Sequence, residues 1–449
     1  MLGTEWLTYW DFLLLPFYLL FIFILAAKHR HKMLKINPAY EYYTIGLFAK
    51  IAGAISICLV YAYHYKGGDT VTYKITASAI INLLQKDPRM FWDVVIHGNT
   101  PENYSYFDMN TGYPAFRWND QYAIFTSILV IPVVMLGFKS FMVSAVLLAW
   151  ICYSGVWKIY LLFCEEFPAI RKELAISVLF IPSVLFWGSG LLKDTITLAA
   201  VGWYLYSFYR FLIQRKYNPL HALAIFISAF ILLGIKPYIM FALVPGSLIW
   251  LTNRWLSVIE NRALKVIFFP VFYLFGVSIA LYALTTLKDS LGEYALDTVV
   301  EKAAITQDDM KQTYYRGNTF DIGGFEPTVL GMLGKAHIAI GAALFRPTLL
   351  DVKNVFMLFA ALENTYMLLL TIVLLIKLKF FDFFKMIINH PLLLFAVLFS
   401  LFFAFATGLS ISNFGSLVRL RIPCLPFYVS ALFILRYLYE IKSKKKLQI

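Results

Sequence analysis

Charge is what this chain has least of: Asp, Glu, Lys and Arg together make up 14% of its 449 residues, against about 25% in a soluble domain whose surface must be solvated. A soluble globular fold is thereby excluded, and so is a disordered chain, which would need low hydrophobicity and high charge. Cysteine is scarce too. The four, Cys58, Cys152, Cys164 and Cys424, are scattered, with no CxxC or metal-ligand spacing, so neither a disulfide framework nor a structural zinc site is written here. No internal repeat of convincing period, no low-complexity tract and no soluble stretch long enough to stand alone is visible. Basic residues outnumber acidic ones, for a net charge of +13, yet they sit at the ends of apolar runs and form no continuous patch, which argues against nucleic-acid binding.

Apolar residues, at 60% with a mean hydropathy of +0.71, fill that space. A hydrocarbon core about 30 Å thick takes roughly 20 apolar residues per helix. About eleven segments qualify by that measure, near 10–27, 45–63, 141–163, 174–190, 195–213, 218–235, 236–251, 264–286, 357–376, 390–410 and 422–438. The expected fold is an all-α polytopic membrane protein forming one membrane domain over 1–449. The first segment does not read as a cleavable leader, because no basic region precedes it, Asp11 stands at its start and a basic stretch follows it. Lys and Arg cluster at 28–35, 171–172, 210–216, 254–265, 377–385 and 442–446. The positive-inside bias puts all six on the cytoplasmic side, with the N-terminus outside and the C-terminus inside, only if 122–138 is re-entrant or interfacial. The excess positive charge then reflects this bias and contact with anionic membrane lipids.

Two long loops face outward on that topology, 64–140 and 287–356, and their mixture of aromatics, Gly and Pro predicts folded rather than disordered segments. The first is expected to carry an amphipathic helix over 82–93 and a turn-rich polar stretch. The second is expected to hold a polar helix over 289–312, a Gly-rich loop over 317–324 and a less polar segment over 329–345.

Chemistry-bearing residues gather at the outward ends. Asp69 follows Gly67-Gly68, where backbone can approach a ligand closely, with His64 just before it and Tyr73 four residues on, on the same face of a helix. Asp69 reads equally as the cap of a helix over 70–84. Lys193-Asp194 joins two apolar segments after Gly188-Ser189-Gly190. That is irregular backbone, tolerated at membrane depth only where it is buried in protein or lines a cavity; the two charges read alternatively as snorkelling or mutually paired. Arg419 and Arg421 lie outside against the positive-inside bias, with guanidinium forks suited to phosphate or to lipid head groups. Lys236 and Arg346 stand beside prolines in the same setting, and Glu363-Asn364 falls in the ninth span. Carboxylates beside cations suit transfer from a phosphate-bearing donor, one side chain taking a proton while cations neutralise the leaving phosphate.

Gly67-Gly68-Asp69 after a span, the amphipathic and interfacial segments that follow, and the run from Pro182 to Asp194 resemble the GT-C superfamily of integral-membrane glycosyltransferases, over about residues 45–215. Arg419-Leu420-Arg421-Ile422-Pro423 is similar to that family's basic patch for donor phosphate. The resemblance implies a GT-C-like fold in a bacterial cytoplasmic (inner) membrane and transfer of a sugar from a polyprenyl-phosphate donor to a glycan, lipid or protein acceptor. It implies Asp69 and Asp194 as catalytic residues, with His64, Tyr73, Lys193, Lys236, Arg346, Arg419 and Arg421 around the substrate. A divalent metal, Mg or Mn, shared by Asp69 and Asp194 is one option under it. The chain departs from the family in having an extra N-terminal span, a single Asp in the first loop and no soluble C-terminal domain. An O-antigen-type polymerase or ligase, a lipid-linked substrate transporter or flippase, and a structural subunit of an envelope complex remain the alternatives.

Overall fold

The structure is a computed structural model; it describes residues 6–115, 118–257, 305–307, 309, 318–326 and 328–447. The segment expected as a span at 264–286, and the polar helix expected over 289–312 apart from a few residues, lie outside the described residues. Among those described, the chain is all-helical, with one isolated bridge between Thr319 and Asn413.

Among the described residues six helices are long and apolar enough to cross a membrane: Tyr9–Leu34, Pro38–Tyr65, Phe141–Glu166, Lys193–Ile213, Val355–Leu378 and Pro391–Ser410. A seventh is available if Phe414–Leu420 and Leu425–Lys444, bent by 69° at their junction, count as one. The protein is thus a multi-pass helical membrane protein, with fewer spans among the described residues than the eleven apolar runs suggested. The difference has identifiable causes. The run at 174–190 is two short helices, Arg171–Leu179 and Pro182–Trp187, broken where Pro182 removes a backbone donor. Pro219–Ile235 is only 17 residues long, and Pro237–Ser257 carries Pro245 inside it. Residues 121–136 form two short helices, Gln121–Leu129 and Ile131–Leu136, neither long enough to cross.

The amphipathic helix expected over 82–93 is divided at Asp87-Pro88 into the end of Asp69–Lys86 and the whole of Pro88–His97. Asp87 explains the division, because its carboxylate accepts the Arg89 N–H at 2.8 Å and caps the second helix. The less polar segment at 329–345 is likewise two helices, Val329–Gly334 and Ala336–Phe345.

The helices gather into two compact units that interleave along the chain. One comprises Met1–Leu161, Val184–Tyr206 and Ala224–Lys236; the other comprises Leu162–Ser183, Ser207–Leu223 and Pro237–Ile449.

In the first unit, a close crossing brings Gly155 of Phe141–Glu166 against Ala199 and Gly202 of the helix that starts at Lys193. A Cβ on either glycine would collide with the facing backbone. Small residues that let backbones touch are a usual means of packing helices where lipid supplies no hydrophobic drive between them. Asp11 fastens the N-terminal helix from within. It accepts the Thr8 N–H and hydroxyl, each at 2.8 Å, the Ser140 hydroxyl at 2.6 Å and the Met142 N–H at 2.9 Å, so its buried carboxylate is fully bonded.

The second unit packs on aromatics. Phe395, Phe399 and Phe403 succeed one another along one helix with centroids 5.9 and 5.8 Å apart, and Phe427 meets the first two edge-on.

Candidate functional site

At the end of the Pro38–Tyr65 span the helix loosens into a π-helical turn, Val60–Tyr65, and then reverses through Lys66, Gly67 and Gly68, all at positive φ. Gly68 is required there twice over, since its φ is +115° and a Cβ would press to 2.8 Å from the Tyr61 ring. A new helix, Asp69–Lys86, starts at once. Its cap is Gly68, whose carbonyl accepts the Val71 and Thr72 N–H groups at 3.0 Å each, while Asp69 occupies the first helical position. The cap role expected of the Asp69 side chain therefore passes to the backbone before it. Asp69 is half-buried, at the positive end of the helix dipole. Tyr73, expected beside it as a substrate contact, is buried, and His64 is exposed with its ring 5.0 Å from Tyr65.

The Gly188–Leu192 bend delivers Lys193 and Asp194 to the start of their helix. Three residues of the Tyr43–Leu59 helix set that bend: Lys50 Nζ donates to the Gly188 carbonyl, Gly53 lies against Leu185 and Ser189, and Ile57 lies against Gly190. Lys50 is 3% exposed in the middle of an apolar span. Such a residue is costly unless it satisfies a polar group, and here it does so at the broken backbone. Sequence reasoning passed over it, although a lone lysine inside a 17-residue apolar helix was the signal.

Asp194 is completely buried, and its carboxylate is ion-paired with Lys236, itself 7% exposed, at the end of the Pro219–Ile235 helix. Lys193, 15% exposed, lies 3.6 Å from Asp120 and 6.0 Å from the centre of the Tyr122 ring. Asp69 and Lys236 also fall within Coulombic reach of Lys193. Asp120 was missed in the sequence. Its place just before an apolar run marks a helix N-cap, and it does cap Gln121–Leu129 by accepting the Ala123 N–H at 2.9 Å, which aims its other oxygen toward Lys193. One corner of this unit thus holds three carboxylates and two ammonium groups, two of them locked in a buried pair and the rest partly open.

A shared Mg or Mn ion does not fit Asp69 and Asp194. The Lys236 ammonium already stands at the Asp194 carboxylate, and no group of three or more His, Cys, Asp or Glu arranged for a metal occurs among the described residues.

The arginines belong to the other unit. Arg421, expected to hold donor phosphate, is wholly enclosed. Its guanidinium donates to the carbonyls of Ala343 at 2.8 Å and Arg346 at 3.1 Å and to the Asn364 side-chain oxygen, and lies 3.9 Å from Glu363. Glu363 in turn accepts the Ser183 N–H and hydroxyl, and Asn364 donates to the Pro347 carbonyl at 2.9 Å. Arg421 is a strut between backbone segments, closed to a ligand. Arg346 forms a two-point contact with Asp351, at 2.6 and 3.2 Å, and lies 5.3 Å from the centres of the Phe320 and Phe414 rings. Partial burial pulls the Asp351 carboxyl upward, but the Arg346 guanidinium and the Thr348 N–H and hydroxyl outweigh it and hold that group below the usual carboxylate range. Arg419 is half-buried.

The class defined by fold and site is a polytopic helical membrane protein with a charged corner at the ends of its spans. No known family, curated protein or solved structure matches the chain.

Proposed function

We propose that the protein is a membrane glycosyltransferase that moves a sugar from a polyprenyl-phosphate donor to an acceptor on the extracytoplasmic side of a bacterial cytoplasmic membrane. The observation that carries this reading is Lys193, a partly open ammonium with Asp120 at 3.6 Å and Asp69 within Coulombic reach, at the mouth of a membrane-spanning helix. Asp69 takes the proton of the acceptor hydroxyl as its oxygen bonds to the anomeric carbon. The bond from that carbon to the phosphate oxygen breaks, and the phosphate leaves with the electron pair. Lys193 offsets the charge gained by the phosphate. Asp120 holds Lys193 in place, and the buried Lys236–Asp194 pair fixes the helix start from behind. Arg421 has no part in phosphate binding on this reading. A prenyl tail left among acyl chains keeps its burial, which gives such an enzyme a reason to sit in the bilayer.

The test is transfer in isolated membranes from a panel of radiolabelled polyprenyl-phosphate sugars, comparing the wild type with Asp69→Asn. Loss of about 100-fold or more is expected for removal of a general base. Transfer at the wild-type rate would overturn the assignment.

A further inference from the structure

Away from the charged corner, the segment 87–106 of the same unit builds a cleft of about 610 Å³, lined by Arg89, Met90, Trp92, Asp93, His97 and Tyr106 among others. The Pro88–His97 helix turns Phe91 and Val94 inward and leaves Trp92 56% and Ile96 70% exposed. Asp93 is held from two sides: its one oxygen is 2.6 Å from His97 Nδ1, and the Tyr106 hydroxyl donates to the other at 2.7 Å. These bonds keep the Asp93 carboxyl below its ordinary range and push the Tyr106 phenol up to about 12, so at neutral pH one is a fixed acceptor and the other a fixed donor.

The far wall is fixed too. Lys86 donates to the Tyr106 carbonyl and to Asp108, each at 2.8 Å. Asn103 donates to the Gly98 carbonyl at 2.8 Å, and Trp118 packs on Tyr104 and Phe107 while donating to the Thr100 carbonyl. The cleft is therefore formed before anything enters it.

We propose that this cleft binds a saccharide, with the Trp92 indole stacked on the C–H face of a pyranose ring and Asp93, His97 and Tyr106 hydrogen-bonding its hydroxyls. An exposed aromatic plane beside a few oriented polar groups is what a ring with one apolar face and a rim of hydroxyls requires. The alternative occupant, a lipid surface, suits the cleft less well. A helix lying on a bilayer wants a basic polar face, whereas this one sets Asp87 and Asp93 against the single cation Arg89, and its exposed face is walled by Tyr106 into a concavity. Naming the saccharide as the glycan acceptor rests on the transferase reading above; its binding does not.

The experiment uses the full chain in lipid nanodiscs, titrated with di- to tetrasaccharides of hexoses, N-acetylhexosamines and uronic acids and read by saturation-transfer NMR. At least one is expected to bind. Trp92→Ala should lower that affinity about tenfold, the order of a lost aromatic stack, and Trp92→Phe should restore most of it, while Asp93→Asn weakens it. Because Trp92 is exposed, unchanged thermal unfolding of its variants checks that the fold is intact. Failure of every saccharide to bind, or binding indifferent to both Trp92→Ala and Asp93→Asn, would overturn the site. So would quenching of Trp92 emission, taken as the difference between wild type and Trp92→Phe, by brominated acyl chains, since that puts this face in the bilayer. Binding sensitive to Trp92→Ala in a protein without transfer activity upholds the site while removing the transferase reading.

Discussion

Lys193 and Arg421 are both cations at the ends of apolar helices, and the fold treats them in opposite ways. Arg421 is closed off completely, its two terminal nitrogens spent on carbonyls and on Asn364. Lys193 keeps a fraction of its surface open and faces Asp120 across 3.6 Å, longer than a tight hydrogen bond. Enclosure with both terminal nitrogens bonded makes an anchor, and partial exposure among opposed carboxylates makes a group that can exchange one anionic partner for another. Position in the sequence does not distinguish the two; the number of backbone acceptors within reach does.

The largest expected effect breaks the anchor. Arg421→Met removes the charge opposite Glu363 and leaves the Asn364 amide oxygen and several buried carbonyls without their donor, and should cost about 3–5 kcal/mol, read as a fall in the thermal unfolding temperature of the detergent-purified protein. Arg421→Lys should recover little of it, because an ammonium cannot reproduce the fork.

Lys50→Met probes a cation of intermediate kind. It orphans the Gly188 carbonyl and should cost about 1–3 kcal/mol. If the bend at 188–192 positions Lys193, its effect on transfer should also be non-additive with that of Lys193→Met in a double-mutant cycle. Additive losses would detach Lys50 from the corner.

Lys193→Met sharpens the contrast from the other side. Its effect on stability should be about 1 kcal/mol or less, as for partly open ion pairs, while transfer is abolished. A large loss of stability would make Lys193 a second anchor.

The smallest effect is confined to the wall of the saccharide cleft. The hydrogen bond from Lys86, followed by the Thr111 N–H, lowers the Asp108 carboxyl to about 2 from its ordinary 3.8. A depressed carboxylate contributes stability that is present above the ordinary value and is lost as pH falls toward the depressed one. Pepsin cleavage within 98–115 should therefore differ between the wild type and Asp108→Asn at pH 4 and converge as pH falls to about 2.

Much of this was legible in the sequence because burial in a bilayer is written in composition. The backbone freedom at Gly67-Gly68 and at Gly188-Ser189-Gly190 follows from local chemistry, and Lys193-Asp194 stood out as charges where apolar runs meet. The helix count was less legible. Hydropathy registers an apolar run whether it is one helix of spanning length or, as at 174–190, two short ones with a bend between them. Asp120 and Lys50 carried a local signal each, a cap position and a lone charge in an apolar run, but not their roles, because each matters through a partner far along the chain, Lys193 and Gly188.

By itself, then, the sequence determined that the chain enters a membrane as helices, since only helices or closed barrels satisfy the backbone there and the runs are too long and too uniformly apolar for alternating strands. It also determined where glycine and proline force turns. Tertiary structure alone decided which charges became struts and which stayed available, because that depends on which carbonyls and carboxylates the packing brings within about 3 Å, and packing joins residues such as 194 and 236, or 343 and 421, that share no local pattern.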